Sequence, residues 1–353
     1  MYYVNEDIKN CVRVFPEQGR YDYARYDMNE NPEGLPQWFV DEVLQEITPE
    51  FLATYPEHDK FRKMYAEYIG TAPENVAVTN GSDMAIRFVM EVFAEKGSSV
   101  VTVAPSFEMY WVNCTMLGLK HVPVSYEADM TIDAEKIVAA IDENTDIVVL
   151  LNPNNPIGTV YTKEEARKII ERAREVGAVV IVDEAYHYFY KHTFLPFIHE
   201  YDNVVVLRTF SKLFSLAAVR LGMMIANPEL IGYARKSMPS FEVNAVALKF
   251  GEHLMQHTEL IEELMNTEAE GKAWLLEELQ KHGYETKPSH GNFIFIKPKK
   301  SAKETERLLR EKKILIKTFG NEFLKDYVRI STGSKKAMSY FLDAFLEADH
   351  VES

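Results

Sequence analysis

Cysteine is nearly missing from this sequence: Cys11 and Cys114 are the only two in 353 residues. That is too few for a disulfide framework or a four-thiolate metal site, and it fits a reducing compartment. No apolar run approaches the roughly 20 residues of a membrane-spanning helix. The stretch from Met1 to Arg20 alternates charged and apolar residues where a secretory leader would carry an unbroken apolar segment. A cytoplasmic chain without membrane attachment is expected. Positive charge is in deficit, 39 Lys and Arg against 54 Asp and Glu, and the net charge of −15 repels nucleic acid and anionic lipid. No two of the 16 glycines are spaced for a Gly-x-Gly-x-x-Gly dinucleotide loop or a Walker-type phosphate loop. A phosphate, if bound, is held some other way.

What is present is enough for a large core, since 46% of the residues are hydrophobic. Short β-branched runs recur at Val76 to Val78, Val100 to Val103, Ile147 to Leu151, Val179 to Val182 and Val204 to Leu207, each bounded by turn-forming or charged residues. Between two of them Thr162 and Glu165 form a capping box, and Ala166, Ile169, Ile170, Ala173 and Val176 follow at helical spacing up to Gly177. Continuously apolar strands alternating with amphipathic helices specify an α/β fold with a mostly parallel sheet covered on both faces. Its ligand site is expected at the carboxyl ends of the strands. A long acidic helix is predicted from about His257 to His282. Strands at Phe293 to Ile296, Ile314 to Lys317 and Val328 to Ser331 follow, with helices at Lys303 to Lys312 and from Ser334, enough for a smaller α+β domain.

The strand ends carry the chemistry-bearing residues. Asn152-Pro153-Asn154-Asn155-Pro156-Ile157-Gly158 follows the third run, Asp183-Glu184-Ala185-Tyr186 the fourth, and Thr209-Phe210-Ser211-Lys212 the fifth, with Arg220 eight residues on in Val-Arg-Leu-Gly. Each alone reads as a turn, a helix cap or a solvated loop. Their conjunction in this order is specific.

In these motifs the chain resembles the pyridoxal-phosphate-dependent aminotransferases of fold type I, most closely the histidinol-phosphate aminotransferase group, from Asn29 to the final helix. The resemblance implies a large domain built on a seven-stranded, mostly parallel sheet, and a smaller α+β domain. The expected division is an arm at 1–40, a large coenzyme-binding domain at 41–284 and a small domain at 285–353. It also implies pyridoxal 5'-phosphate as coenzyme and Lys212 as the Schiff-base lysine that shuttles the proton. Asp183 is implied at the pyridine nitrogen, and Tyr186 with Asn155 at the ring oxygen. For the coenzyme phosphate it points to Arg220, Thr209, Ser211 and the helix start Gly81-Ser82-Asp83, whose free N–H groups suit an anion. Phe107 is expected to stack on the ring. Tyr55, in Tyr-Pro-Glu, matches a tyrosine that reaches the partner subunit's coenzyme phosphate, so a homodimer is expected. Arg329 matches the arginine that clamps the substrate carboxylate, and Asn29-Glu30-Asn31-Pro32 matches a segment that closes over the substrate.

The chain departs from the histidinol-phosphate group at Glu33, at Lys317, where an arginine is usual, and at Pro239-Ser240-Phe241-Glu242. Lys317 can still hold a phosphate as a point charge, and an α-amino acid fits as well as an amino-alcohol phosphate. The expected activity is transfer of an amino group from either to a 2-oxo acid. A threonine-phosphate-type decarboxylase shares the motifs, and a non-catalytic binding module on the same fold is the alternative of another class. His253 and His257 have helical spacing, but Leu254 follows the first where a metalloprotease helix carries Glu, so no metal site is expected.

Overall fold

A computed structural model describes every residue except Met1, Asn10, Val12, Val14, Pro16, Glu17, Pro288 and 351–353. Its centre is a seven-stranded sheet of β1 (Val76–Asn80), β2 (Ser99–Ala104), β3 (Lys120–Ser125), β4 (Thr145–Leu151), β5 (Val179–Asp183), β6 (Val204–Thr209) and β7 (Leu221–Ala226). The spatial order is β1-β7-β6-β5-β4-β2-β3. Only β7 runs against its neighbours.

The unbroken apolar strands are explained by what lies on each side. Val148, Leu150, Val180, Val182, Val204 and Val206 join the core on one face, while Ile147, Val149, Val179, Ile181, Val205 and Leu207 join the core on the other. A side-chain period of two thus feeds two cores at once. The crossover helix Lys163–Glu175 starts at the expected capping box: Thr162 Oγ1 accepts from Glu165 N–H, and Glu165 Oε2 accepts from Thr162 N–H. Two strands of this sheet were not foreseen. β7 reads Leu-Gly-Met-Met-Ile-Ala and lacks β-branched residues apart from Ile225, and β3 is a polar edge strand carrying Pro123.

A second sheet comprises β8 (Glu285–Lys287), β9 (Phe293–Lys297), β10 (Lys317–Thr318) and β11 (Val328–Ser331) in the order β10-β11-β9-β8. The run expected as one strand from Ile314 to Lys317 divides between sheets. Ile314–Leu315 pairs in parallel with Ala24–Arg25, and Lys317–Thr318 joins β11. Helices Ala302–Glu311 and Lys335–Ala348 complete this unit around Ile294, Ile296, Val328, Ile330 and Phe341. The long helix Thr258–Lys281 serves both halves, with Leu260 and Ile261 in the large core and Leu275 and Leu279 in the small one.

One close approach sets the geometry of the site. A Cβ on Gly222, in β7, would lie 2.4 Å from the Gly81 carbonyl carbon and 2.6 Å from Ser82 N. Gly222→Ala must push the start of helix Gly81–Phe93 away. The expected loss is about 1–3 kcal/mol in urea unfolding of the coenzyme-free protein, together with reduced coenzyme content; an unchanged midpoint would contradict this packing.

Candidate active site

Five parallel strands, and the amino end of antiparallel β7, deliver their chemistry to one edge of the sheet. β5 ends on Asp183, which is buried. Tyr110 O–H donates to its Oδ2 at 2.7 Å and Ala185 N–H to its Oδ1 at 3.0 Å. Burial outweighs those donors and pushes the carboxyl up to about 6. Among the described residues no cation pairs with Asp183. A buried carboxylate in that state is a seat for a cationic ligand group.

Lys212 follows β6 and is half-buried. Its Nζ donates to the Met28 carbonyl at 3.0 Å and lies 5.7 Å from the centre of the Tyr186 ring. No carboxylate within ion-pair distance holds it among the described residues, so the amine can leave Met28 at the loss of one hydrogen bond to a backbone carbonyl. The Tyr186 hydroxyl accepts from Asn29 Nδ2 at 2.9 Å, which leaves its own proton to donate. Asn29 adopts φ 57, a conformation asparagine tolerates, and its backbone N–H is anchored on Ser331 Oγ at 2.8 Å.

A cradle for an anion lies where β1, β6 and β7 converge. Helix Gly81–Phe93 begins without a side-chain cap, so its first N–H groups are uncommitted to any side chain. Arg220, just before β7, is held at φ 60, a strained conformation for a non-glycine residue. Its Nη1 donates to Ser211 Oγ at 3.3 Å and its Nη2 to Asp83 Oδ2 at 3.0 Å, while Ser211 Oγ also accepts from Thr209 Oγ1 at 3.1 Å. Two hydroxyls, a guanidinium and a helix start form a donor set suited to a phosphate. Asp83 contributes its backbone to the helix and its side chain to steering Arg220.

The third element comes from the small sheet. Arg329, on β11, is buried; its Nη1 donates to Asn155 Oδ1 at 2.7 Å and its Nη2 to the Asp27 carbonyl at 3.0 Å, while Nε has no partner. Burial lowers its pKa to about 10, against the charge of Asp27. No carboxylate pairs with it among the described residues. Lys317 stands directly opposite Arg329 across the antiparallel pair, which puts both side chains on one face. Glu30 lies close by. Burial opposes its charge, but hydrogen bonds from Arg20 and the positive charges of Arg20, Arg25 and Lys212 hold its pKa below the usual carboxylate value.

The structure thus links Lys212, Tyr186, Asn29, Asn155 and Arg329 through direct contacts or one shared neighbour. It joins Gly81, Asp83, Thr209, Ser211 and Arg220 into the cradle. Phe107 is half-buried against the core beneath the sheet edge, 6.4 Å between ring centres from Tyr110. Tyr55 is apart from both groups: it is 73% exposed and stacks on Phe241 at 4.3 Å. The sequence reading did not find Tyr110, the sole side-chain donor to Asp183 among the described residues, nor Asn292, whose Nδ2 holds the Asn29 carbonyl at 2.9 Å. Tyr110 lies one helical turn beyond Phe107, but nothing in the sequence pairs it with a carboxylate 73 positions away.

An unpaired buried carboxylate and an anion cradle, with an amine next to cradle residue Ser211 in sequence, fit a ligand with a protonatable ring nitrogen and a phosphate. Comparison with known proteins agrees. The family model "Aminotransferase class I and II" matches residues 27–345. The chain is 32% identical to a histidinol-phosphate aminotransferase from Caldanaerobacter subterraneus over 98% of each chain. It is 34% identical to one from Clostridium novyi over 94% of this chain and 93% of the relative. In fold it matches the histidinol-phosphate aminotransferase from Sinorhizobium meliloti, solved with pyridoxal 5'-phosphate, at a TM-score of 0.86 and 24% identity, covering 99% and 98% of the two chains.

Proposed function

Since the chain belongs to the class I and II aminotransferases, enzymes that depend on pyridoxal 5'-phosphate, we propose that its amino donor is an amino-alcohol phosphate of the histidinol-phosphate type and its acceptor a 2-oxo acid. The observation that carries this reading is the opposed polarity of the two groups of residues around the site. The cavity beside Lys212 is lined by Glu33 and Glu268, and burial raises the Glu268 pKa against the opposing effects of Lys272 and Thr332. Such carboxyls suit a donor or cation, as an imidazole supplies. Arg329 with Lys317 forms the cationic end and suits a phosphate or, in the second half of the cycle, a carboxylate.

Pyridoxal phosphate supplies, when bound, the carbonyl that takes up the amino group and the ring that accepts the electron pair left on the substrate carbon. We assign the other tasks to the chain. The uncapped helix start, Thr209, Ser211 and Arg220 hold the phosphate. Asp183 would keep the ring nitrogen protonated, Phe107 would pack on the ring, and Tyr186 and the Asn155 amide would donate to the ring oxygen. Lys212 Nζ would hold the coenzyme at rest and, once the substrate amine has displaced it, would be the base that takes the proton from the substrate carbon and the acid that gives it back. Arg329 orients the substrate anion, and the segment around Asn29 excludes water.

The same reading includes a homodimer, supported by the exposed Tyr55–Phe241 stack. It also includes a cytoplasmic location, the division at 41–284 and 285–353, and Lys317 as a substrate-binding residue. No helix among the described residues is long and apolar enough to cross a membrane. The decarboxylase alternative has less support: the threonine-phosphate decarboxylase from Porphyromonas gingivalis shares the fold at 22% identity, whereas relatives at 32% and 34% identity that span the chain are named as aminotransferases.

The test is a donor panel with 2-oxoglutarate. Histidinol phosphate is expected to exceed histidinol and aromatic amino acids by at least about 100-fold in kcat/KM, the worth of two charge-assisted hydrogen bonds. Equal or better turnover of an α-amino acid would overturn the donor assignment. Arg329→Lys, which keeps the charge and loses the fork, is expected to lower kcat/KM for donor and acceptor alike by about 10–100-fold. A loss confined to one substrate would contradict a shared anion seat.

A further inference from the structure

Two histidines outside the active site meet a glutamate from a remote part of the chain. Glu42 lies on helix Gln37–Gln45, His253 in the last turn of helix Ala245–Gln256, and His257 between that helix and Thr258–Lys281. His253 Nδ1 is 2.9 Å and His257 Nε2 3.0 Å from the same atom, Glu42 Oε1. All three atoms lie within 4.8 Å of one another. Bonds of about 2.0–2.1 Å to a tetrahedral zinc ion place its ligand atoms about 3.3 Å apart, so the two glutamate–histidine distances need open only slightly, and the histidine–histidine distance, at most 4.8 Å, closes toward the same value.

The far side of each ring strengthens the case. His253 Nε2 is 3.0 Å from Glu46 Oε1, and Lys249 holds the other oxygen of Glu46 at 2.9 Å. His257 Nδ1 is 3.1 Å from Glu259 Oε1. A carboxylate stands behind each imidazole, so every ring nitrogen of the pair faces a carboxylate oxygen. A carboxylate bonded to the outer nitrogen of a metal-bound histidine is the usual support of such sites. The His253 side chain is 5% exposed, with Phe39 edge-on to its ring and Trp38 edge-on to His257.

We propose that Glu42, His253 and His257 bind one divalent transition-metal ion, zinc foremost, with a fourth position left for water. The site shares no residue with the transamination machinery. It pins helix Gln37–Gln45 to the junction of the two later helices, a structural clamp on the large domain. Only the histidine pair is visible in the sequence. Its missing ligand comes from more than 200 positions away, 211 from His253 and 215 from His257.

The test uses full-length holoenzyme stripped with chelator, dialysed against zinc and assayed by elemental analysis. Cobalt serves as a second probe, through the visible d–d bands of a histidine-carboxylate site. One equivalent per chain is expected in the unaltered protein, and none in His257→Ala or Glu42→Gln. Both altered side chains are partly exposed, and Glu42→Gln keeps an acceptor for the rings should the alanine variant misfold. Glu259→Gln, which alters only the support, should weaken binding about 10–100-fold. Zinc should raise the melting temperature of the unaltered protein and not of Glu42→Gln, with transaminase turnover equal in both. No bound equivalent in the unaltered protein, or an undiminished equivalent in Glu42→Gln, would overturn the proposal.

Discussion

Lys212→Ala is expected to fold, to bind pyridoxal phosphate through the cradle and Asp183, and to lose transamination. A positioned proton-transfer group is worth about 10²–10⁴-fold in rate, and the same amine also carries the coenzyme, so kcat should fall by at least that range. Lys212 is bonded to one backbone carbonyl and to no carboxylate among the described residues, so removing it leaves no buried acid unpaired and stability should change little. The half-reaction isolates the step: donor mixed with the variant should change the coenzyme absorbance orders of magnitude more slowly than with the unaltered protein. A small primary amine in the buffer should restore part of that rate, because it supplies the missing base without the tether. Turnover within a few-fold of the unaltered protein would remove Lys212 from the mechanism.

Asp183→Asn has effects of opposite sign on function and on stability. Without the carboxylate the ring nitrogen is not held protonated, and kcat is expected to fall by about 10³-fold or more, comparable to loss of a preorganised charge at other sites. For the coenzyme-free protein the folded carboxyl lies at about 6, above the ordinary aspartate value of about 3.9. A raised carboxyl favours folding below the unfolded value and loses that contribution as pH rises through the folded one. Relative to the asparagine variant, the unaltered apoprotein should therefore lose roughly 3 kcal/mol between about pH 4 and pH 6 and stay level above that. Urea unfolding of both coenzyme-free proteins at pH 4 and pH 7.5 measures it. A variant less stable than the unaltered protein at pH 7.5 would mean that Asp183 is satisfied without a ligand.

The strands that carry the site were legible because burial on both faces forces continuous Val and Ile runs, and those runs stop where polar ligand-holding residues begin. β7 escaped because Met223 and Met224 fill its core positions with unbranched side chains, and Gly222 is there for the passage of a neighbouring backbone. The split of Ile314 to Lys317 between two sheets was hidden for a different reason. Each half is two residues long, and its partner strand is set by tertiary packing against Ala24 and Val328. Tyr110, Asn292 and Glu42 share one kind of invisibility. Each acts on a residue far away in sequence, through a contact that exists only after the sheet or the helices have assembled. The motif residues around Lys212 escape that limit because several of them sit within a few positions of a strand end.

The most direct measurement is covalent. The coenzyme-loaded protein is reduced with borohydride, digested and analysed by mass spectrometry. The pyridoxyl mass is expected on the peptide containing Lys212 and on no other, at close to one per chain. Label on a different lysine, or protein that retains coenzyme yet takes up no label, would contradict the assignment on which the proposed mechanism rests.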